Sequence, residues 1–212
     1  QLTIRLWSGL NLGLLLAVAA IGISLIFGTT GLNNFAHGEM LTFGALLTWI
    51  FYANMNLPIL LVAVIVMALG ALFGYSQDAF IWKPLRKKRL GLNQMMIVSI
   101  GFSIVLRYVM LIFFGGETKV ISGEFQSVQI GPINTTVNSI VSMVICLITL
   151  AAVALFLTRT RIGKATRAVS DNSALAASTG IDVERIIRIV WVVAGALTAL
   201  SGILYGLQFQ AS

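Results

Sequence analysis

Polar side chains are rare in this chain, and the run NNFAHGE at residues 33–39 concentrates several of them. It holds the only histidine, two positions from a carboxylate, at the start of an apolar stretch. Ionisable groups near membrane depth tend to face a cavity or a partner group. We therefore expect this run to line or shape a polar path through a membrane. The alternatives are a helix-breaking junction whose polar groups satisfy one another, and a proton relay. The residues of this candidate path are Asn34, Phe35, His37, Gly38 and Glu39.

A second group of polar residues forms the basic loop 158–188 between two long apolar runs. Asp171 or Asn172 can cap a short helix with the sequence SALAAST, and Gly180 suits the position after its end. Asp182 can then cap the next apolar helix. A helix of about seven residues is not stable alone, so it must pack on something. Three surfaces are available to it: the inner ends of its own membrane spans, the lipid headgroups, or a soluble partner protein.

Arg107 is an isolated charge in the middle of the apolar run GFSIVLRYVMLIFF. An arginine at the centre of a bilayer costs at least about 2.5–3.5 kcal/mol on insertion scales. We therefore expect its side chain to face the helix bundle and to pair with a carbonyl or a carboxylate. Glu39 and Asp78 are the candidate carboxylates, although Asp78 lies near the inner end of its span, where contact with water is sufficient.

Motifs for enzymatic chemistry are missing from the sequence. It contains no phosphate-binding G-x-x-x-x-G-K-[ST] loop, no H-E-x-x-H, no C-x-x-C and no serine nucleophile elbow. The single cysteine, Cys146, lies in an apolar run and is expected to serve as a packing residue. We predict no catalytic site, no metal site and no cofactor on this chain, so any use of ATP must take place on another subunit.

The elements that position these residues are predicted to be membrane-spanning helices. The chain has 212 residues, of which 58% are hydrophobic and only 10% charged, against about 25% charged in soluble domains. Lipid must therefore solvate much of the surface, and we predict an all-α, polytopic transmembrane helix bundle. A span needs about 20 apolar residues. Six segments qualify: 7–28, 36–53, 58–81, 93–115, 136–157 and 187–209. The second begins beside polar residues, so a broken or re-entrant helix is the alternative there.

Basic residues set the predicted orientation. Eleven of the 14 lie in two loops, which the positive-inside rule assigns to the cytoplasm. They are Lys83, Arg86, Lys87, Lys88 and Arg89 in one loop, and Arg159, Arg161, Lys164, Arg167, Arg185 and Arg188 in the other. The segment 116–135 then lies outside, as does the N-terminus if the second segment crosses fully. The net charge of +7 therefore comes from loops that lie beside membrane spans, as the positive-inside rule expects. We predict no nucleic-acid partner.

Two stretches resemble signatures of the branched-chain amino acid ABC transporter permeases. The hallmark N-F-A-H-G-E is complete at residues 34–39. The family's cytoplasmic-loop pattern, G-[KR]-A-x-R-A followed by A-x-x-x-G-I, matches residues 163–168 and 176–181. The basic stretch KPLRKKRL fits the family's other inner loop. The urea permeases, which are close relatives, more often have methionine at the position of Phe35.

The resemblance implies a multi-pass permease of a bacterial or archaeal inner membrane, working as part of a larger assembly. Its partners would be a second homologous permease, two cytoplasmic ABC ATPases and an extracytoplasmic substrate-binding protein. The helix near 171–180 would be the coupling helix that docks on an ATPase. The coupling residues would be Gly163, Lys164, Arg167, Asp171, Ala176 and Gly180. We expect residues 1–212 to be one permease domain that continues with further spans beyond Ser212.

Three functions remain open at this point. The first is ATP-driven import of branched-chain or other aliphatic amino acids, with urea or a short amide as an alternative cargo. The second is transport without ATP, by a secondary transporter or a channel. The third is a structural membrane anchor. The loop 158–188 favours the first, because a folded cytoplasmic platform is what a separate ATPase needs as a docking surface.

Overall fold

The computed structural model describes residues 2–117, 119, 121, 127–130 and 133–208. The helices are α1 (Leu2–Thr30), α2 (His37–Thr48), α3 (Ile59–Gln77), α4 (Lys83–Lys87), α5 (Leu92–Phe114), α6 (Val137–Arg159), α7 (Arg161–Asp171), α8 (Ser173–Ser178) and α9 (Val183–Gln208). Two π-helical segments, Trp49–Asn54 and Asp78–Trp82, extend α2 and α3. A hairpin joins β1 (Ser127–Ile130) and β2 (Ile133–Thr136) in antiparallel register. The predicted all-α, polytopic helix bundle is confirmed, with one small hairpin added.

Five helices in the described part of the chain are long and apolar enough to cross a membrane. They are Leu2–Thr30, Ile59–Lys87, Leu92–Phe114, Val137–Arg159 and Val183–Gln208. The second predicted segment differs from these. Its α-helix α2 has 12 residues, and the π-helical segment after it adds six, which together reach about 27 Å. The second predicted segment is therefore a composite of an α-helix and a π-helical segment, and it begins at the polar run.

The last long helix, α9, is the centre of the bundle. The most apolar stretch of α9 is mostly buried inside the chain, whereas very little of the corresponding stretch of α5 is buried. Helices α1, α2 and α3 all pack against α9. A soluble protein would not leave a helix like α5 uncovered, so lipid or another subunit must surround it.

Glycines allow the close approach of α9 to its neighbours. A Cβ built on Gly74 of α3 would overlap the carbonyl oxygen of Trp191, and one on Gly195 would overlap the carbonyl oxygen of Gly70. On the α2 side, a Cβ on Gly202 would overlap the carbonyl oxygen of Leu41. Without a hydrophobic effect between helices in lipid, such close backbone packing is a main source of association.

Three charged residues link the ends of α3 and α9. Nη2 of Arg86 donates to Oδ1 of Asp78 at 2.7 Å and to Oε2 of Glu184 at 3.0 Å. The Asp78 side chain is 0% exposed, so the expectation that contact with water suffices for Asp78 is wrong. The π-helical segment that begins at Asp78 continues into α4, and this path places Arg86 beside the carboxylate. The same ion pairs place the two basic loops at one end of the bundle, as predicted.

The opposite end of the bundle contains the start of α1 and the hairpin. Nε1 of Trp7 donates to Oγ1 of Thr135 at 3.0 Å, and Nδ2 of Asn11 donates to the hydroxyl of Ser139. The other end of α1 approaches α7, where Gly28 lies beside Ser170. The described part of the segment 116–135 therefore lies at the end away from the basic loops, which agrees with the predicted orientation.

Candidate functional site: a cavity in the bundle and a folded loop

The polar run lies at a reversal of the chain between α1 and α2. Gly31 has a positive φ of 69°, a conformation that costs a glycine little because it has no Cβ. The amide oxygen of Asn34 accepts a hydrogen bond from the backbone N–H of Ala36 at 3.2 Å, and it holds the turn that precedes α2. The backbone N–H of Phe35 donates to the hydroxyl of Ser99 on α5 at 3.3 Å. The run is therefore fastened to a neighbouring helix on its way back into the bundle.

His37 shows how deep α2 begins. Its Nε2 donates to the carbonyl oxygen of Ala19 at 2.9 Å. Ala19 lies 11 residues before the end of α1 at Thr30, which corresponds to about 16 Å along the helix axis. The second apolar segment thus starts within the bundle. This agrees with the alternative of a broken helix for this segment. A Cβ built on Gly22 would lie 3.1 Å from Cε1 of His37 and 2.8 Å from Oγ1 of Thr198 on α9, so the imidazole ring and this hydroxyl both lie beside Gly22.

A cavity of about 630 Å³ opens between α2, α5 and the end of α9. Its polar lining includes Glu39, Thr42, Arg107, Glu117 and Lys119. Its apolar wall is formed by Ala45, Leu46, Trp49, Met110, Leu111, Phe114 and Ile121. The cavity lies toward the last turns of α5 and α9, away from the basic loops. In the predicted orientation it faces the extracytoplasmic side.

Glu39 and Arg107 form an ion pair in this cavity. Nη2 of Arg107 lies 3.5 Å from Oε1 of Glu39, so the predicted pairing with a carboxylate is confirmed and Asp78 is not the partner. The Glu39 side chain is 8% exposed, whereas that of Arg107 is 75% exposed. The expectation that Arg107 faces into the bundle therefore needs correction. Its guanidinium projects into the open cavity and meets Glu39 from one side.

The structure separates the five candidate path residues into two groups. Gly38 and Glu39 line the cavity together with Arg107. Asn34 and His37 are buried in the packing around the chain reversal, and Phe35 is exposed beside it. Asn34 accepts a hydrogen bond from a backbone N–H, and His37 donates one to a backbone carbonyl oxygen. These two hydrogen bonds hold the start of α2 in place. The structure shows no direct hydrogen bond between His37 and Glu39 among the described residues.

The loop 158–188 is folded, with a cap at each predicted position. Oδ1 of Asn172 accepts from the backbone N–H of Leu175 at 2.9 Å, so Asn172 rather than Asp171 caps α8. Gly180 follows the helix with a φ of 90°. Oδ1 of Asp182 accepts from the backbone N–H of Arg185 at 3.0 Å at the start of α9. The predicted short helix and its three local signals are confirmed.

One face of this loop is anchored and the other is exposed. Val169 of α7, Ala176 of α8 and Ile186 of α9 form a small apolar cluster. Within 171–180, Ala176 is the buried residue and its neighbours are exposed. Lys164, Arg167 and Asp171 lie on the exposed surface with Gly180. Packing on the chain's own span therefore holds the loop in position without covering most of it.

Gly163 belongs to the anchored side of the loop. A Cβ at this position would overlap the carbonyl oxygen of Phe156 in the last turn of α6. The backbone N–H of Gly163 donates to Oγ1 of Thr160 at 2.9 Å, which caps α7. Of the six predicted coupling residues, Gly163 and Ala176 therefore shape the loop from within.

Two features of these sites were missed in the sequence. Leu175 is 62% exposed on α8 although it is a large apolar residue, and only the burial of Ala176 reveals which way the helix faces. Lys119 lies over the ring of Trp49 at 5.2 Å in the cavity, a contact between residues 70 positions apart in the chain. In the described part of the chain, no group of three histidine, cysteine, aspartate or glutamate side chains could hold a metal ion.

Comparison with known proteins gives the family. The model for "Branched-chain amino acid transport system / permease component" matches residues 5–212. The chain belongs to this family. The permease is 30% identical to the high-affinity branched-chain amino acid transport system permease protein BraD of Pseudomonas aeruginosa, over 97% of this chain and 71% of BraD. It is 28% identical to LivH of Escherichia coli, over 95% of this chain and 70% of LivH. No solved structure matches.

More distant relatives have names with other cargoes. The nucleoside ABC transporter permease protein NupB of Lactococcus lactis is 28% identical over 76% of this chain and 48% of its own length. Family membership and the apolar helices establish the permease as a multi-pass plasma-membrane protein of an ABC transport system.

Proposed function

We propose that this permease is one membrane subunit of an ATP-driven importer for aliphatic amino acids, and that cytoplasmic ATPases drive it through the loop 158–188. The observation that carries the proposal is the geometry of α8. This helix is capped at its start and anchored by Ala176, yet it presents the rest of its surface to the cytoplasmic side. A helix that needs packing and is left mostly uncovered is suited to a partner protein.

The exposed surface of the loop has the composition of a docking site. Leu175 supplies an exposed apolar residue on α8, and Lys164 and Arg167 supply exposed positive charge on the preceding helix, α7. Apolar anchors ringed by charged groups are common at protein interfaces. Because Ala176 of α8 shares an apolar cluster with Ile186 of α9, a displacement of α8 would be transmitted to α9, the central helix of the bundle.

A second homologous permease is part of the proposed assembly. Helix α5 has little contact with the rest of the chain, and Arg107 on this helix is mostly exposed. The cavity that contains Arg107 is open, and a charged side chain is costly wherever such an opening faces lipid, so a second subunit that closes the cavity beside α5 would remove that cost. An extracytoplasmic binding protein would then deliver cargo to the outer end of the cavity. ATP hydrolysis takes place on the partner ATPases, and residues 1–212 act as one permease domain.

Reconstitution with these partners tests the proposal. Proteoliposomes that contain the permease, a second permease, the ATPases and a binding protein should take up leucine only when ATP is supplied on the side of the membrane that the loop 158–188 faces. Leucine uptake without ATP would favour the secondary transporter or channel. Uptake of urea in place of leucine would assign the alternative cargo, and no uptake of either would favour an anchor.

Leu175→Asp should uncouple the importer. We expect at least a tenfold loss of leucine uptake and of co-purifying ATPase, because a charge replaces the apolar centre of the docking surface. Ser178→Asp is the matched control, since it introduces the same charge at an exposed position on the same helix and should have a much smaller effect. Equal effects of the two substitutions, or none, would count against docking through α8.

Gly180→Val should impair coupling through the backbone. The φ of 90° at Gly180 is strained for a β-branched residue, at a cost of about 1–3 kcal/mol, so the end of α8 must shift. Uptake and cargo-stimulated ATP hydrolysis should fall several-fold while membrane insertion is retained. Gly91→Val is the control, because Gly91 lies in the other basic loop with a φ of −67° and open space around it. Normal uptake by Gly180→Val would contradict the coupling role.

A further inference from the structure

We infer that the Glu39–Arg107 pair is a binding site for the ammonium and carboxylate groups of a zwitterionic α-amino acid. This inference rests on the proposed function, since it takes an amino acid as the cargo. It goes further by naming the two residues that would recognise the part common to all such cargoes. It assigns the cavity to amino acids rather than to uncharged molecules such as urea or a nucleoside.

The ion pair is loose, and most of the hydrogen-bond capacity of its two side chains is available to a ligand that approaches from the cavity. The separation of 3.5 Å between Nη2 of Arg107 and Oε1 of Glu39 exceeds the 2.7–2.9 Å of a short charge-assisted hydrogen bond. Among the described residues, this ion pair is the only polar contact recorded for either side chain. A guanidinium has five N–H donors and binds carboxylates in bidentate fashion. Most of this capacity is unused in Arg107, which faces the open cavity.

Charge balance favours a zwitterion in this position. The pair is neutral as a whole, and so is an α-amino acid near pH 7. The ligand carboxylate can bind Arg107 and its ammonium group can bind Glu39, so that one loose ion pair becomes two close ones. A ligand with only one of these charges would leave the opposite protein charge without a partner, which is unfavourable away from bulk water.

The remaining walls of the cavity suit an aliphatic side chain. Leu46 of α2 and Trp49 of the π-helical segment after it line the cavity together with Met110, Leu111 and Phe114 of α5. The volume of about 630 Å³ lies in the range of small-molecule sites. Aliphatic groups are recognised mainly by burial of apolar surface, which such walls provide. The cavity therefore combines one charged pair with an apolar enclosure, as an aliphatic amino acid requires.

Access to the pair comes from the end away from the basic loops. Glu117, Lys119 and Tyr205 line the cavity at the last turns of α5 and α9. Arg107 is reached from this side because its side chain is 75% exposed. Thr42 also lines the cavity and is exposed, whereas the natural Cys146 is 0% exposed. A cysteine introduced at position 42 would therefore report on occupancy above a low background.

Protection of that cysteine tests the site without the binding protein. The purified importer complex carrying Thr42→Cys is treated with a cationic thiol reagent in the presence of leucine, leucinamide, 4-methylpentanoate or urea. Leucinamide lacks the carboxylate and 4-methylpentanoate lacks the ammonium group. We expect leucine to slow modification at least fivefold and the other three compounds to slow it less than twofold at the same concentration.

Substitutions of the pair provide the second arm. Glu39→Gln and Arg107→Gln, each combined with Thr42→Cys, should abolish protection by leucine. The control Glu117→Gln removes a carboxylate from the cavity mouth and should retain protection. Equal protection by leucine and its two single-charge analogues would overturn the inference. So would protection by leucine that survives both substitutions.

The outcome can be separated from that of the proposed function. If the reconstituted importer takes up leucine with ATP but leucine does not protect the introduced cysteine, the inference is wrong and the proposed function stands. If leucine is neither taken up nor protective, the proposed function fails and this inference fails with it.

Discussion

Gly74→Val is expected to destabilise the permease strongly and to lower its yield of folded protein. A Cβ at Gly74 overlaps the carbonyl oxygen of Trp191 on α9, which is backbone and cannot rotate away. The facing contact is equally close, since a Cβ on Gly195 would overlap the carbonyl oxygen of Gly70. Separating α3 from α9 would then disrupt the main contact of the central helix. Overpacking of this kind typically costs about 1–3 kcal/mol and sometimes more.

The measurement is the midpoint of unfolding in detergent, followed by size-exclusion chromatography of a fluorescent fusion. Gly101→Val is the matched control. Gly101 lies within α5, a span of similar hydropathy, and a Cβ there meets nothing within 4 Å. The control should leave the elution profile and the midpoint nearly unchanged. Similar behaviour of the two variants would mean that α3 and α9 do not pack at Gly74.

Arg86→Met is expected to destabilise the permease by about 3–5 kcal/mol, because removing one partner leaves a buried charge uncompensated. The carboxylate of Asp78 is completely buried and lies 2.7 Å from the guanidinium. Methionine keeps much of the length of the side chain, so the loss reports the charge more than the packing. The second partner, Glu184, is 42% exposed, and Glu184→Gln should cost only about 1 kcal/mol or less.

The double variant Arg86→Met with Asp78→Leu distinguishes a buried charge from a simple loss of contact. We expect it to recover much of the stability lost in Arg86→Met, since both charges are then gone. Lys87→Met, one residue along on the exposed surface of the same basic loop, should have little effect. If the double variant is no more stable than Arg86→Met alone, the burial of an unpaired Asp78 is not the cause. Denaturant titrations of the unchanged permease, Arg86→Met, the double variant and Lys87→Met provide the comparison.

Much of the fold was predictable because a membrane imposes simple rules. Length and hydropathy located the long spans, and lysine and arginine indicated which loops share one side. Local signals located the ends of α8, because Asn172 accepts a hydrogen bond from a backbone N–H three residues away and Gly180 has the positive φ that follows the helix end. Arg107 could be assigned a carboxylate partner by type, since a charge in an apolar span needs one.

The candidate site was predictable only in part. The run at residues 33–39 marked a polar break at membrane depth, and the structure places Glu39 of this run in a cavity. The sequence could not show that Glu39 lines the cavity whereas His37 does not. The imidazole of His37 instead donates a hydrogen bond to the carbonyl oxygen of Ala19. Residues two positions apart face different neighbours here, and those neighbours come from distant parts of the chain.

By itself, the sequence determined the membrane class, the long spans, the side of the basic loops and the caps of the cytoplasmic helix, because each follows from composition or from contacts a few residues long. Only the tertiary structure decided that α9 is the central helix, that Gly74 meets Trp191, that Arg86 joins Asp78 to Glu184, and that Arg107 meets Glu39 in a cavity. The physical reason is the solvent. In lipid, apolar residues suit both the bundle interior and its surface, so hydropathy does not reveal which face of a span meets another helix.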